Sequence, residues 1–326
     1  MKKNIAIVCG GDSGEYEISI KSAAVVKKHL SPEKWNTWLV LIKASGWYAT
    51  LENGEKVPVD KNDFSIQDTQ GRKIKFDAVF NAIHGTPGED GKLLAYFDML
   101  GIPYNSSGAT CCALTFHKDF CKRIVASNGV HVADSILINK RDSIDSKEII
   151  KQLGLPVFVK PNNGGSSVGV SKVKNDNELF PAIEKAFRED TQVLIESFVE
   201  GREIGCGVVE HKGRMLVFPL TEIISKNEFF DYEAKYTDGM SDEITPAAVD
   251  EAIELEIKAT AALLYHRIEC RGIARFDFIL TKEEEIYFLE VNIVPGMSEA
   301  SIIPKQAECM GISLQKLFDM TLDNLF

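Results

Sequence analysis

The sequence predicts an α/β fold in which a mostly parallel N-terminal sheet is followed by smaller mixed α+β units, and three observations carry that expectation. Buried-strand runs alternate with amphipathic helices over the N-terminal third. From about Thr115 the pattern changes to short strands and helices separated by glycine-rich turns. The chain of 326 residues is also about twice the ~150-residue length of an ordinary domain, so two or three units around a shared interior are expected.

Taken in order, Asn4 to Cys9 is an apolar run of strand length that stops at Gly10-Gly11, and Ser19 to Leu30 follows with Ile20, Ala23, Ala24 and Val26 in helical spacing. Thr37 to Ile42 and Phe76 to Ile83 repeat the buried-strand pattern, and Gly91 to Leu100 is a helix stopped by Gly101 and Pro103. Strand and helix alternating in this way place ligands at the carboxyl ends of the strands. The next segments read as helix Phe116 to Ser127, strand Ser135 to Ile138, helix Ser146 to Leu153, strand Pro156 to Lys160 and strand Val168 to Val173. A helix near Glu178 to Arg188, strands at Gln192 to Glu196, Glu203 to Glu210 and Arg214 to Glu222, and a polar stretch from Lys226 to Pro246 come after. That stretch is long for a structureless connection and is expected to be a functional lid. Helix Val249 to Arg267, strands Ala274 to Leu280 and Ile286 to Val291, and a terminal helix after Pro304 complete the chain.

Composition narrows the class. Asp and Glu number 48 against 37 Lys and Arg, and a formal charge of -11 repels a nucleic-acid backbone and an anionic membrane alike. The first apolar run is too short for a signal peptide and no run is long enough to span a bilayer, so a cytoplasmic protein is expected. The seven cysteines contain no CxxC pair and are expected to be small buried hydrophobes in a reducing compartment.

The strongest chemical signal is a pair of strands. Arg275 and Asp277 alternate with aromatics, Glu290 and Asn292 with aliphatics, and the short linker Thr281 to Glu285 makes the two an antiparallel hairpin. If the polar faces coincide, Asp277, Glu290 and Asn292 offer two carboxylates and an amide oxygen to a Mg2+ shared with phosphates. The competing reading is a solvated sheet face, disfavoured because ionised groups in an apolar run are costly without partners.

A second signal is Lys160-Pro161-Asn162-Asn163-Gly164-Gly165-Ser166-Ser167-Val168-Gly169, a glycine- and serine-rich tip between strands. It reads either as a lid closing over an anion, with Lys160 as a point charge, or as an ordinary flexible hairpin, and it is not a Walker A loop. Gly10-Gly11-Asp12-Ser13-Gly14-Glu15 ends the first strand without a GxGxxG pattern. Its carboxylates suit an ammonium group, or Ser13 and Glu15 simply cap the following helix. His84-Gly85-Thr86-Pro87-Gly88-Glu89-Asp90-Gly91 ends another strand, and His84 is either a base or a structural histidine.

Together these segments resemble the D-alanine–D-alanine ligase family of the ATP-grasp superfamily. The resemblance runs over nearly the whole chain, adding Lys118 in a helix, Asp231-Tyr232-Glu233-Ala234-Lys235-Tyr236, Arg275-Phe276-Asp277 and Glu290-Val291-Asn292-Ile293-Val294-Pro295-Gly296-Met297 to the motifs above, in family order. It implies a three-domain ATP-grasp architecture: an N-terminal parallel-sheet domain over residues 1–112, then two α+β domains over 113–195 and 196–326 that clamp ATP. On that resemblance Lys118, Lys160 and Lys235 belong to the ATP site, and Glu196 and Glu203 hold adenine-side and ribose groups. Asp277, Glu290 and Asn292 bind two Mg2+, with Mn2+ able to replace them. Glu15 anchors the ammonium of the first D-alanine and His84 lies in the substrate site. Ser166 and Tyr236 close the lid near Glu15, Arg275 and the Gly296 N–H stabilise an oxyanion, and Ser301 holds the second carboxylate.

The implied activity is ATP-dependent ligation of two D-alanines through D-alanyl phosphate, for peptidoglycan precursor synthesis, by a homodimer with no nucleic-acid or membrane partner. The alternatives are an ATP-grasp ligase using D-lactate or D-serine as second substrate, or a nucleotide-binding relative without catalysis. Three positions depart from the family pattern: Ile293-Val294 before the Pro-Gly-Met turn, Ser197 after the adenine-side glutamate, and Glu299-Ala300 before Ser301.

Overall fold

The computed structural model describes residues 2–225 and 241–326. The N-terminal sheet contains β1 (Lys3–Gly10), β2 (Trp35–Lys43), β3 (Gly46–Thr50) and β4 (Lys56–Pro58); β5 (Ser65–Gln67) and β6 (Lys73–Lys75) form a separate ribbon, and β7 (Ala78–Asn81) returns to the sheet. The order is β4-β3-β2-β1-β7, with β1 parallel to both β2 and β7 as the alternating pattern predicts. The antiparallel β3 and β4 are an addition that the sequence reading lacks. They are short and partly exposed, so no continuous apolar run marks them.

Helix α1 (Tyr16–His29) begins before the expected Ser19, because Ser19 is an anchor inside it. The Ser19 hydroxyl accepts the Gly10 N–H at 2.8 Å and donates to the Ala82 carbonyl at 2.7 Å, tying the first turn of α1 to two strand ends. Helix α2 (Lys92–Leu100) is followed by two helices where one was expected, α3 (Ala109–Phe116) and α4 (Lys118–Ser127). The break is at His117, whose backbone is extended and whose Nδ1 accepts the Phe120 N–H, so Lys118 opens α4.

The central sheet combines β9 (Ser135–Asn139), β10 (Val157–Pro161), β11 (Ser171–Val173) and β12 (Gln192–Ser197) in the antiparallel order β11-β10-β12-β9. Helices α5 (Ser146–Leu153) and α6 (Asp176–Ala186) pack on it around Val157, Val159, Leu179 and Ile195, a core of its own. Strand β11 starts later than expected because the glycine and serine residues before it form the turn.

The third sheet runs β16-β15-β13-β17-β18-β8, with β14 added to β13. Its strands are β8 (His131–Val132), β13 (Arg202–His211), β14 (Arg214–Val217), β15 (Thr221–Ser225), β16 (Ser241–Ile244), β17 (Ile273–Leu280) and β18 (Ile286–Asn292). The single strand expected over Arg214 to Glu222 is two, interrupted at Pro219, which has no N–H for a ladder. Most of the expected 226–246 lid lies outside the described residues, but its end is ordered as β16, paired to β15. Helix α7 (Glu251–Arg267) covers this sheet.

The expected terminal helix is also two, α8 (Ile302–Cys309) and α9 (Leu314–Asp323). Pro304 sits in the first turn of α8, where a missing N–H costs nothing. The N-terminal and third sheets share two cores, one through α2, α3 and α7 and one through α1 and α9.

Six of the seven cysteines are buried as expected, Cys309 is exposed, and all are free thiols. Among the described residues no helix is long and apolar enough to cross a membrane.

Candidate active site

The β17–β18 hairpin has the register on which the metal reading depends: Arg275 faces Asn292 and Asp277 faces Glu290. Directly opposed residues of an antiparallel pair point to one face, so the four polar side chains gather there. A bulge after Asp277 makes Phe278 pair with Phe288 and leaves Leu289 as the extra residue. Leu289 and Glu290 therefore both reach the same cavity, which strict alternation would not allow.

Asp277 is only 1% exposed and its charge is fully engaged. Arg275 donates to both of its carboxylate oxygens at 2.8 Å, and the Asn292 amide donates at 2.8 Å. Burial works against the Arg275 cation, but Asp277 and then Glu290 more than offset it and hold the guanidinium well above its ordinary pKa. With its NH2 donating to Asp277, Asn292 keeps its amide oxygen as an acceptor. Two carboxylates and an amide oxygen form a hard, all-oxygen donor set that fits a divalent cation of the Mg2+ type. No cluster of three His, Cys, Asp or Glu suited to a metal exists among the described residues, so phosphate and water would complete the coordination.

Two cavities of about 430 Å³ each meet beside this hairpin. The first is lined by Glu15, His84, Arg275, Asn292, Gly296 and Ser301, and the second by Lys160, Glu196 and Glu203 with Phe158, Phe198 and Leu289 as apolar walls. Lys118, Gly164, Gly165, Ser166 and Glu290 line both, so the glycine-rich loop and the metal face form the seam between them.

That loop is seated on Glu15. The Ser166 hydroxyl donates to the Glu15 carboxylate, and a Cβ on Gly165 would lie 2.8 Å from Glu15 Oε2, so a side chain there would displace that carboxylate. Ser166 and Ser167 hold φ values of 51° and 58°, a left-handed conformation that serine adopts at a cost and that is typical of functional turns. Lys118 Nζ donates to the Gly164 carbonyl at 2.6 Å, fastening the same loop from α4.

Glu15 makes no side-chain cap to α1, so the capping alternative fails for it. Ser13 accepts the Glu15 N–H at 3.2 Å and donates to the His84 carbonyl at 2.8 Å, joining the two turns that end β1 and β7. His84 is 5% exposed, its Nε2 lies 3.1 Å from the Ser22 hydroxyl, and burial holds the ring below its ordinary pKa. Gly296 packs so closely that a Cβ would stand 2.8 Å from the Ser301 hydroxyl, which itself bonds Ser298 at 2.7 Å. Lys235 and Tyr236 lie outside the described residues.

Two charged residues of the site were not singled out from sequence. Glu89 accepts the Gly85 N–H at 2.6 Å and the Val294 N–H at 3.3 Å, and burial, then the charge of Glu15, pushes its pKa up to about 8. It ties the His84 turn to the Ile293–Gly296 turn; its only sequence signal was its place in that motif. Lys122 lies 2.5 Å from Glu196 Oε1, while Lys160 pairs with Oε2. Burial lowers the Lys122 pKa, and although burial opposes the Glu196 charge, Lys160 and then Lys122 hold Glu196 below its ordinary value. The signal for Lys122 was its position one helical turn after Lys118.

The N-terminal residues 4–107 match the family model described as D-ala D-ala ligase N-terminus, and residues 124–323 match the one described as D-ala D-ala ligase C-terminus. The chain belongs to the D-alanine–D-alanine ligase family. It is 42% identical over 326 residues to a D-alanine–D-alanine ligase of Bacteroides fragilis, covering 100% of both chains. It is 46% identical over 321 residues to that of Flavobacterium johnsoniae, covering 98% of each. Among solved structures, the D-Ala:D-Ser ligase VanG of Enterococcus faecalis matches with a TM-score of 0.88 at 31% identity over 100% of both chains. D-alanyl-alanine synthetase A of Vibrio cholerae matches with a TM-score of 0.89 at 30% identity, covering 99% of this chain and 98% of that one. The Bacillus anthracis ligase complexed with ATP matches with a TM-score of 0.78 at 28% identity, covering 98% and 96%. These neighbours share the ATP-grasp architecture, and the mixed α/β chain described above has it too.

Proposed function

We propose that this ligase joins two D-alanines into D-alanyl-D-alanine with conversion of ATP to ADP and phosphate, supplying cell-wall precursor. The observation that carries the reading is the seam: a polar cavity and an apolar-walled cavity meet at Lys118, Ser166 and Glu290. A phosphoryl group can pass there from a nucleotide to a carboxylate.

In this reading the adenine lies against Phe158, Phe198 and Leu289, with Glu196 and Glu203 on its polar edge and ribose. Lys118, Lys160 and Lys235 neutralise the phosphates. Glu15 holds the ammonium of the first D-alanine, and His84 borders that substrate. The substrate carboxylate attacks the γ-phosphate, forming an acyl phosphate and releasing ADP. Asp277, Glu290 and Asn292 would hold two Mg2+, or Mn2+, and the cations supply charge neutralisation on the phosphates. The amine of the second D-alanine, its carboxylate held at Ser301, then attacks the acyl carbon. Arg275 and the Gly296 N–H stabilise the tetrahedral oxyanion, and phosphate leaves. Ser166, bonded to Glu15, shields the acyl phosphate from water, a task we assign to Tyr236 as well. We assign the chain three units, residues 1–112, 113–195 and 196–326; the separate core around the central sheet supports the middle one. We further infer a cytoplasmic homodimer.

D-serine is the second reading for the acceptor, favoured only by the likeness to VanG; the curated relatives at 41–46% identity are D-alanine–D-alanine ligases. With D-alanine as first substrate, phosphate release at neutral pH is expected to show a higher kcat/KM for D-alanine than for D-serine or D-lactate as acceptor. A higher value for either of the others would overturn the dipeptide assignment, and no phosphate release with any pair would mark an inactive relative. Glu15→Gln is expected to raise the KM of the first D-alanine about tenfold, the loss of one charge-assisted contact, with the KM of ATP nearly unchanged. An effect confined to ATP would contradict the ammonium role.

A further inference from the structure

We propose that Lys305 and Glu243 select the second substrate by charge: Lys305 receives the carboxylate of the acceptor, and Glu243 disfavours an acceptor that carries no ammonium. The inference rests on the ligase reading above and adds to it the basis of acceptor choice.

Lys305 lies one turn after Ser301 along α8, so both side chains stand on one helix face. Both line the first cavity, as do Ser298 and Gly296, which lie against Ser301. Glu243, on β16, lines the same cavity and accepts from Lys305 Nζ at 2.9 Å. The two side chains are 18% and 38% exposed for Glu243 and Lys305, partly wet, where an ion pair adds little to stability. A role in substrate recognition explains their placement better. An ammonium has three donors, and one contact to Glu243 leaves Lys305 with donors for a second carboxylate.

The pair also has a sign. A D-amino acid enters as a zwitterion without net charge, whereas D-lactate enters as an anion with nothing to offset its carboxylate. With Lys305 already balanced by Glu243, the zwitterion brings an ammonium that Glu243 attracts, and the hydroxy acid brings only added negative charge. Among the acids lining the first cavity, Glu15 then serves the first ammonium and Glu243 the second.

The competing explanation is a latch that merely fastens β16 to α8. Three variants separate the two. Lys305→Met is expected to raise the KM of the second D-alanine about tenfold while the KM of ATP stays within about twofold of wild type. Glu243→Gln is expected to narrow the D-alanine over D-lactate preference in kcat/KM about fivefold. Lys305→Glu combined with Glu243→Lys rebuilds the ion pair with its polarity reversed and is expected to remain impaired. Recovery of the wild-type KM in that double variant, or an unaltered second-site KM in Lys305→Met, would overturn the proposal while leaving the ligase reading intact. A wild-type enzyme that releases no phosphate with D-alanine would remove both.

Discussion

Asp277→Asn is expected to lower kcat by about three orders of magnitude with the fold retained, because it removes a charge from the face on which transition-state electrostatics depend. Asn is nearly isosteric and can still accept from Arg275, whose two bonds to Asp277 at 2.8 Å are the main polar contacts at this position. The loss therefore reports the missing carboxylate charge, with the melt separating it from any loss of the buried Arg275 pair. Steady-state ADP release and a circular-dichroism melt check it together. Glu290→Gln, at a less buried position on the partner strand, is expected to lose activity similarly at smaller risk to folding. Ordinary turnover in both variants would show that the hairpin does not hold the metal.

Replacing Lys122 by Met is expected to cost stability and nucleotide affinity at once. Lys122, Glu196 and Lys160 have side-chain exposures of 7%, 7% and 13%, so Glu196 is a buried anion held between two cations. Removing one partner of a buried pair costs about 3–5 kcal/mol, and the low end applies because Lys160 remains beside Glu196. Lys160 would then be more tightly committed to Glu196 and less available to phosphate, raising the KM of ATP. A urea unfolding midpoint gives the first quantity and ATP saturation at fixed D-alanine the second. An unchanged midpoint would show that Glu196 does not need Lys122 to stay charged.

Much of the site was legible residue by residue. Period-2 alternation in Arg275 to Phe278 and Leu289 to Asn292, with a short turn between, put Asp277 and Glu290 each on a polar face of one hairpin; that the two faces coincide, with Asp277 opposite Glu290, comes from the register of the folded sheet. Glycine and serine between β10 and β11 marked the flap for the same local reason: small residues and positive φ go together in tight turns. The misses have physical causes as well. β3 and β4 are short, partly exposed strands at one side of the sheet with no apolar run to betray them, and the break between α3 and α4 is made by a histidine acting as a cap, a role for which histidine is not a preferred residue. Leu289 was assigned by strict alternation to the wrong face, and a bulge reverses it.

The sequence alone determined which chemical groups are present and which lie within reach along one strand or one turn, since those relations follow from the 2.0 and 3.6 periods of the backbone. It could not determine which groups separated by a hundred residues or more would meet. Ser166 on Glu15 and Val294 on Glu89 join segments more than a hundred residues apart, and Lys122 on Glu196 joins two separated by 74. Only the packing of the three sheets settles them, because a buried charge has no intrinsic partner: it takes the complementary group that tertiary structure brings within bonding distance and shields from water.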